Sequence, residues 1–359
     1  MKRRLQNRIA QSSATLPTAC VLATLLWWLP QGSYSEEYLC GWLLCVLTTY
    51  VVIETTSVNA LLRIRSRMIS SLFLFLMAVC GFLHPVGSGT VALFCLAASF
   101  YCLLRTCEAE HPEASTFHAY LFLSLGSLLW PPMLLLTIIQ LWNQGVFLRS
   151  LQWRSLGAAC CGILLPYVFW ATGSFALNDI QPFAAHAASI VAPFRESFWW
   201  QWAVELAQTL DWNSFWPQFY LVMQGHVLAH QPDCAALLLL LLLGLTGFVH
   251  YCRKNYDDKI RVRMCHYCFM SMQVVLVLSM VLAPPYFRLL FPLLLLTTVP
   301  AAAHFITLTR TWMTNAWFVC LTLGLVAVGI CCLALPPYFG WPLPLSDLPI
   351  SPLVNSLTH

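Results

Sequence analysis

Charged side chains are scarce in this chain: Asp, Glu, Lys and Arg make up only 9% of its 359 residues, against about 25% in soluble globular domains. The sequence also lacks an HExxH helix, a nucleophile elbow and a phosphate-binding loop. These absences exclude soluble hydrolases and metalloproteases of the known motif classes. Because no basic face is continuous enough to neutralise a run of phosphates, nucleic acid is not an expected partner.

Apolar residues dominate instead, at 59% of the chain and with a mean hydropathy of +0.73. This composition predicts a single integral membrane domain over residues 1–359, with the lipid bilayer as its main partner. The spans are expected to be helical, because a backbone exposed to lipid must satisfy its own hydrogen bonds. Most of the sixteen cysteines lie inside apolar runs and are expected to act as small hydrophobic residues.

Nine apolar segments predict membrane-spanning helices in an all-α bundle. Their approximate bounds are 15–30, 38–53, 70–83, 90–104, 156–177, 234–250, 265–282, 286–306 and 316–335. The first segment follows four basic residues, and we interpret it as a retained anchor, with a cleaved signal peptide as the alternative.

A tenth apolar stretch, 118–142, is interrupted by Trp130-Pro131-Pro132. It is long enough to cross once as a kinked helix of about 37 Å, or it folds back as an in-membrane hairpin. The hairpin places 16 of the 18 Lys and Arg residues on one side, whereas a single crossing leaves 10 and 8. A rival threading has one crossing here and an added span at 214–230. It places 15 of the Lys and Arg residues on one side and 3 on the other. We predict the hairpin.

Loops rich in Lys and Arg stay on the cytoplasmic side. The predicted orientation therefore has a cytoplasmic N-terminus and an external C-terminus, in a bacterial inner membrane. In this orientation, residues 178–233 form an external insertion that is acidic and rich in tryptophan.

Several external residues are candidates for a binding or catalytic site. Glu205 and Asp211 are candidate catalytic carboxylates, and Trp199, Trp200 and Trp202 beside them are candidate substrate-binding residues, because flat rings and carboxylates suit sugars and lipid headgroups. The alternative for this region is an amphipathic helix lying in the membrane interface.

The acidic pair Glu36 and Glu37 lies at the start of the second span and is a second catalytic candidate, as a general base or a metal ligand. Arg288 lies at the external end of an apolar span, where its expected partner is an anionic substrate group or one of the external carboxylates. The plain alternatives are two solvated acids and an arginine that reaches the outer headgroups.

The cytoplasmic segment CHYC, residues 265–268, has a metal-binding spacing, but the sequence holds only one such pair, so we predict no metal site and identify no cofactor. His304 either lines a polar cavity or is a core histidine that is bonded to a backbone carbonyl.

The passage from Ala119 to Trp170 shows a short Gly-containing helix, a Pro break, a second short apolar helix, a basic loop and then a span. This order resembles the multi-spanning glycosyltransferases that use polyprenyl-phosphate sugar donors. The resemblance implies action on a lipid-linked sugar at the outer face. The chain departs from that class in its first external loop, which is too short for the usual catalytic loop.

The segments His250 to Met270 and Ala303 to Asn315 resemble an uncharacterised family of bacterial inner-membrane proteins, which implies no particular activity. The sequence therefore supports a glycosyltransferase-like envelope protein as the most specific hypothesis. Two alternatives stay open: a non-catalytic subunit that assembles with another envelope protein, and a transporter whose polar path includes the hairpin and His304.

Overall fold

The computed structural model describes residues 5–28, 36–64, 66–176, 181–190, 195, 231–283 and 286–334. These residues form α-helices and short 3-10 turns and contain no strand, as the sequence predicts. The helices are α1 (Leu5–Gln11), α2 (Thr15–Trp28), α3 (Glu36–Asn59), α4 (Met68–Val79), α5 (Ser88–Leu104), α6 (Glu113–Leu129), α7 (Leu136–Val146), α8 (Trp153–Ala176), α9 (Gln181–Ser189), α10 (Gln231–Lys254), α11 (Ile260–Leu282), α12 (Phe287–Leu308) and α13 (Trp312–Ala334).

Six of the described helices, α3, α8, α10, α11, α12 and α13, are long and apolar enough to cross a membrane, which is compatible with an integral membrane protein. The helices α1 and α2 meet at 93° and add a seventh candidate if they count as one broken span. The helices α4 and α5 are apolar but have only 12 and 17 residues. At 1.5 Å per residue α4 extends about 18 Å, against a hydrocarbon core of about 30 Å. The count of nine spans therefore stays a prediction.

Helix α12 lies at the centre of the bundle, where 89% of its apolar window is buried. It packs against α4, α5, α10 and α11. Small residues allow this close packing: a Cβ atom added at Gly247 of α10 would lie 2.7 Å from the backbone nitrogen of Ala302. By contrast, only 17% of the corresponding window of α8 is buried, so most of α8 faces the surroundings of the protein.

Helices α6 and α7 fold back on each other at a 3-10 turn, Pro131–Leu135. The Gln144 Nε2 atom donates to Thr116 Oγ1 at 2.8 Å, and Tyr120 donates to Gln144 Oε1 at 3.1 Å. In a continuous helix, Thr116 and Gln144 would lie about 42 Å apart. The two halves therefore lie side by side, in agreement with the predicted hairpin and not with one kinked span. The depth of the hairpin in a membrane stays a prediction.

Three buried amide side chains hold α7 in the bundle. Ser99 of α5 donates to Gln140 Oε1 at 3.0 Å, and Ser271 of α11 donates to Asn143 Oδ1 at 2.6 Å. The third amide, Gln144, joins α7 to α6. Because the 11 residues of α7 extend only about 16 Å, these hydrogen bonds explain how so short a helix is positioned among longer ones.

Most of the described basic residues lie at one end of the bundle, which we call the Arg63 end. The Thr106 and Ser150 hydroxyls, 2.8 Å apart, join the end of α5 to the loop before α8. Gln6 Nε2 donates to the Thr309 carbonyl at 2.7 Å, joining α1 to the end of α12. The Arg63 end holds twelve of the fourteen described Lys and Arg residues: Arg8, Arg63, Arg67, Arg105, Arg149, Arg154, Arg253, Lys254, Lys259, Arg261, Arg263 and Arg310.

Candidate functional site

The opposite end of the bundle, which we call the Glu36 end, is where α3, α5 and α12 begin. The turn at residues 84–89 joins these three helix starts. Val86 N–H donates to the Glu37 carbonyl at 3.0 Å. A Cβ atom added at Gly89 would lie 3.1 Å from the carbonyl oxygen of Arg288. The structure therefore brings the predicted acidic pair and Arg288 to the same end, around one short turn.

The first residue of this turn is a histidine whose side chain is buried. The His84 ring stacks on Trp27 with the ring centres 4.1 Å apart, and its Nε2 atom lies 3.0 Å from the Ala78 carbonyl. Burial lowers the pKa of His84 to about 4, although the hydrogen bond to Ala78 acts in the opposite direction. The ring is therefore neutral at pH 7, and Nε2–H donates to Ala78. Trp27 in turn donates to the Tyr38 carbonyl at 3.1 Å.

The side chains of Glu36, Glu37 and Arg288 are exposed and lie in the first turns of their helices. Carboxylates in the first turn interact favourably with the helix dipole, so the acidic pair also stabilises the start of α3. Exposed carboxylates and a guanidinium around one turn are suited to a ligand that carries both hydroxyl groups and a phosphate, because Arg binds phosphate oxygens bidentately.

The other predicted site residues, Glu205, Asp211, Trp199, Trp200 and Trp202, lie outside the described residues. Their roles stay predictions. Within the predicted insertion at 178–233, the structure describes helix α9. This helix lies against α8, where Trp170 contacts the rings of His186 at 4.6 Å and Phe183 at 5.6 Å.

A buried charge cluster lies at the Arg63 end. The Asp258 carboxylate is 1% exposed and accepts a hydrogen bond from Arg63 Nε through Oδ1. Its Oδ2 atom lies 3.2 Å from Nε2 of His304, whose side chain is fully buried. Burial would raise the pKa of Asp258, but the hydrogen bonds from His304 and Arg63 outweigh this effect and lower the pKa to about 2. Asp258 is therefore ionised at neutral pH.

Aromatic and imidazole rings surround His304. The Tyr251 ring lies 4.8 Å from the His304 ring and stacks on His266 at 4.3 Å. His266 Nε2 lies 3.0 Å from the Leu61 carbonyl. In the described part of the chain, the Nδ1 atoms of His266 and His304 have no hydrogen-bond partner. This cluster joins the loop before α4 and the loop before α11 to the core helix α12.

Sequence reasoning identified His304 but not its partner. The expected alternatives for His304 were a polar cavity or a backbone carbonyl, and the structure shows a carboxylate instead. Asp258 was overlooked because it lies among basic residues in RKNYDDKIRVR, where an acid is expected to be solvated. Its signal was an acidic pair inside the strongest basic cluster.

Neither cluster has a metal-binding geometry: among the residues that the structure describes, no three His, Cys, Asp or Glu side chains are arranged to hold a metal ion. The CHYC cysteines, Cys265 and Cys268, are fully buried in α11. No family model, curated protein or solved structure matches this chain. Its function is therefore inferred from the geometry of its own residues.

Proposed function

We propose that this integral membrane protein binds a phosphate-bearing lipid-linked sugar at the Glu36 end, in a glycosyltransferase-like bundle. In this proposal Arg288 binds the phosphate, and Glu36 or Glu37 acts as general base or binds the sugar hydroxyls. The observation that carries the proposal is the convergence of the starts of α3 and α12 on the turn at 84–89.

The rigid base of this turn supports the proposal. The contacts of Val86, Gly89 and the stacked His84 fix the starts of α3 and α12. The backbone positions of the acidic pair on α3 and of the arginine on α12 therefore keep a constant separation. Such preorganisation lowers the entropic cost of binding a ligand with two separate polar groups. A lipid-linked substrate also suits an end of an apolar bundle, because its chain stays in the bilayer while its headgroup reaches the water.

The fold-back of α6 and α7 is a second supporting feature. It supplies the order of a short helix, a Pro break and a second short helix on which the resemblance to polyprenyl-phosphate-dependent glycosyltransferases rests. The short connection between α2 and α3 departs from that class. The catalytic role is therefore assigned to the start of α3 rather than to a long external loop.

The proposed location is a bacterial inner membrane, with the Arg63 end in the cytoplasm and the Glu36 end outside. The grouping of twelve described basic residues at the Arg63 end supports this orientation, because Lys and Arg near the ends of spans stay on the cytoplasmic side. The exposed Trp153 and Trp312, which begin α8 and α13 at this end, fit an aromatic belt at the membrane surface.

Binding of a radiolabelled polyprenyl phosphate to the purified protein in lipid nanodiscs tests the phosphate site, with the uncharged polyprenol as comparison. We expect the phosphate to bind at least tenfold more tightly than the polyprenol, and Arg288→Gln to abolish the difference. Arg105→Gln, an exposed arginine at the Arg63 end, is the matched control and should bind as the wild type does. Equal binding of both probes, or an unaffected Arg288→Gln, contradicts the phosphate site.

The catalytic role is tested in cells by the double variant Glu36→Gln, Glu37→Gln. Loss of a surface glycan, with protein abundance and melting temperature unchanged, supports sugar transfer. An unchanged glycan profile in both this variant and Arg288→Gln argues against an enzyme and leaves a lipid-binding role without transfer.

A further inference from the structure

The buried charge cluster at the Arg63 end has no part in the proposed substrate site. Its central residue, His304, lies on the core helix α12, close to the point where that helix ends at Leu308. The His304 side chain is fully buried. An ionisable side chain inside a membrane helix is costly to bury, and such residues commonly take part in the movement of protons or ions. The surroundings of His304 therefore indicate what it binds.

The hydrogen-bond partner of His304 determines the neutral form of its ring. Oδ2 of the ionised Asp258 lies 3.2 Å from Nε2 of His304. Because a carboxylate oxygen can only accept, the hydrogen of the neutral ring is on Nε2. The other nitrogen, Nδ1, then carries a lone pair and has no hydrogen-bond partner among the described residues. His304 therefore presents one buried nitrogen that is available to accept a proton.

The charges of the cluster favour a proton on this nitrogen. Arg63 Nη1 lies 3.4 Å from Asp257 Oδ2, and Arg63 Nε donates to Asp258, so one guanidinium faces two carboxylates. A proton on His304 supplies the second cation. Because the Asp258 side chain is only 1% exposed, water screens little of its attraction for that positive charge.

The other groups around His304 do not offset this attraction with a buried positive charge. The titratable rings that contact it are His250 and Tyr251 of α10 and His266 of α11. The helices α4 and α5, which also pack against α12, contain no Asp, Glu, Lys, Arg or His. Basic side chains of the neighbouring segments are exposed, so that water screens their charges: Arg8, Lys254, Lys259 and Arg310.

The loop that supplies Arg63 has an uncommon backbone conformation beside this cluster. Ala60 has a φ of 47°, in the left-handed region that residues other than glycine rarely adopt. The Leu61 carbonyl that follows lies 3.0 Å from His266 Nε2, and Arg63 binds Asp258. Strained backbone persists where the surrounding contacts impose it, and it is concentrated at functional sites. This strain is a second observation, independent of the charges, that points to a function of the cluster.

We infer that His304 and Asp258 form a proton-binding site, in which Nδ1 of His304 takes up one proton and the Asp258 carboxylate stabilises the resulting imidazolium. The step transfers a proton from water to a lone pair, and no other bond is made. His304 lies about 6 Å along α12 from its last residue, so the proton comes from the Arg63 end. The inference does not depend on the substrate site at the Glu36 end.

Proton uptake changes the contact between the loop before α11 and the core helix. In the neutral form, His304 donates a hydrogen bond to Asp258. In the protonated form, the same hydrogen bond joins two opposite charges, and charge-assisted hydrogen bonds are about twice as strong as neutral ones. The protonated site therefore holds this loop more firmly on α12.

Nitrogen NMR of the histidine rings tests the site, because the shifts of the two ring nitrogens distinguish the imidazolium from each neutral tautomer. The full chain, labelled with ¹⁵N at its ten histidines, is placed in lipid nanodiscs and titrated from pH 9 to pH 5. The signal that is missing in His304→Gln belongs to His304. We expect this ring to carry its hydrogen on Nε2 at the alkaline end and to gain a proton on Nδ1 as the pH falls.

The role of the carboxylate is tested by comparing two neighbouring acids. We expect Asp258→Asn to lower the proton affinity of His304 by about tenfold or more, because loss of an opposite charge in contact has an effect of this size. Asp257→Asn is the matched control: this side chain is 44% exposed, and its loss should change the affinity by less than about threefold. The exposed His118 is the internal reference and should titrate alike in all variants.

The wild-type titration decides the inference even if Asp258→Asn does not fold. A His304 ring whose protonation does not change between pH 9 and pH 5 overturns it. So does a neutral ring with its hydrogen on Nδ1, because Asp258 would then not be its acceptor. Equal proton affinity of His304 in the wild type and in a folded Asp258→Asn protein overturns the role of the carboxylate.

Discussion

Asp258 and His304 join a surface loop to the centre of the bundle: Oδ2 of the carboxylate lies 3.2 Å from Nε2 of the imidazole. Both side chains are almost fully excluded from solvent. Arg63 binds the other carboxylate oxygen and is 34% exposed. Three segments that are far apart in the sequence therefore meet at one carboxylate, which makes Asp258 the main electrostatic contact of the Arg63 end.

Replacement of this carboxylate should destabilise the fold. We expect Asp258→Asn to lower the free energy of unfolding by about 2 kcal/mol, because a neutral amide has only one oxygen and cannot accept the hydrogen bonds of both Arg63 Nε and His304 Nε2, and a hydrogen bond to a charged group contributes about 1.5–3 kcal/mol. Unfolding in detergent, followed by circular dichroism, measures the effect. Asp257→Asn is the matched control: its side chain is 44% exposed and lies 3.4 Å from Arg63. Exposed pairs contribute at most about 1 kcal/mol, so equal losses in the two variants would refute this role of Asp258.

The fold-back of α6 and α7 depends on Gln144. We expect Gln144→Leu to lower the free energy of unfolding by about 1–2 kcal/mol, because Thr116 and Tyr120 both lose their hydrogen-bond partner. Gln152→Leu, which changes an exposed glutamine in the loop before α8, should have little effect. Chemical denaturation in micelles compares the two variants. A Gln144→Leu protein as stable as the wild type would show that the fold-back does not need this residue.

Acid should destabilise the protein through His84. Its folded pKa is about 4, below the ordinary value of 6.5, so the unfolded chain binds the proton more tightly. The contribution of neutral His84 is therefore complete above about pH 6.5 and is lost as the pH falls toward 4. In His84→Phe, which preserves a ring for Trp27, this part of the pH dependence should disappear. Melting temperatures of the two proteins between pH 7 and pH 4 test it, and parallel curves would contradict it.

The helices of the bundle were largely predictable from the sequence, because a lipid bilayer allows few backbone conformations. Long apolar runs bounded by basic residues have few alternatives in a bilayer, so the predicted segments coincide with described helices. The fold-back was also predictable, because a straight passage of 118–142 would have separated Arg149 and Arg154 from Arg105. In the structure, Thr106 and Ser150 bring these loops together.

The buried charges were not predictable in the same way. Asp258 has the same local sequence character as its exposed neighbour Asp257, and only the packing of α12 distinguishes the two. The sequence predicts that Glu36, Glu37 and Arg288 lie on the same side of the protein, and in the structure they lie at the same end of the bundle; their roles stay predictions. The burial of His84 was not predicted. The sequence of a short turn does not indicate that its histidine will stack on a tryptophan far away in the chain.

We expect the fold-back of α6 and α7 to return the chain to the side from which it came, so that the loops at 105–112 and 147–152 share one face of the membrane. Short epitope tags inserted after Glu110 and after Leu151 measure this, with a third tag placed before Glu36. Antibody access is compared in intact and permeabilised cells. We predict that the tags after Glu110 and Leu151 are reached only after permeabilisation and that the tag before Glu36 is reached in intact cells. Tags after Glu110 and Leu151 that are reached from opposite sides of the membrane would show that α6 and α7 together cross it once.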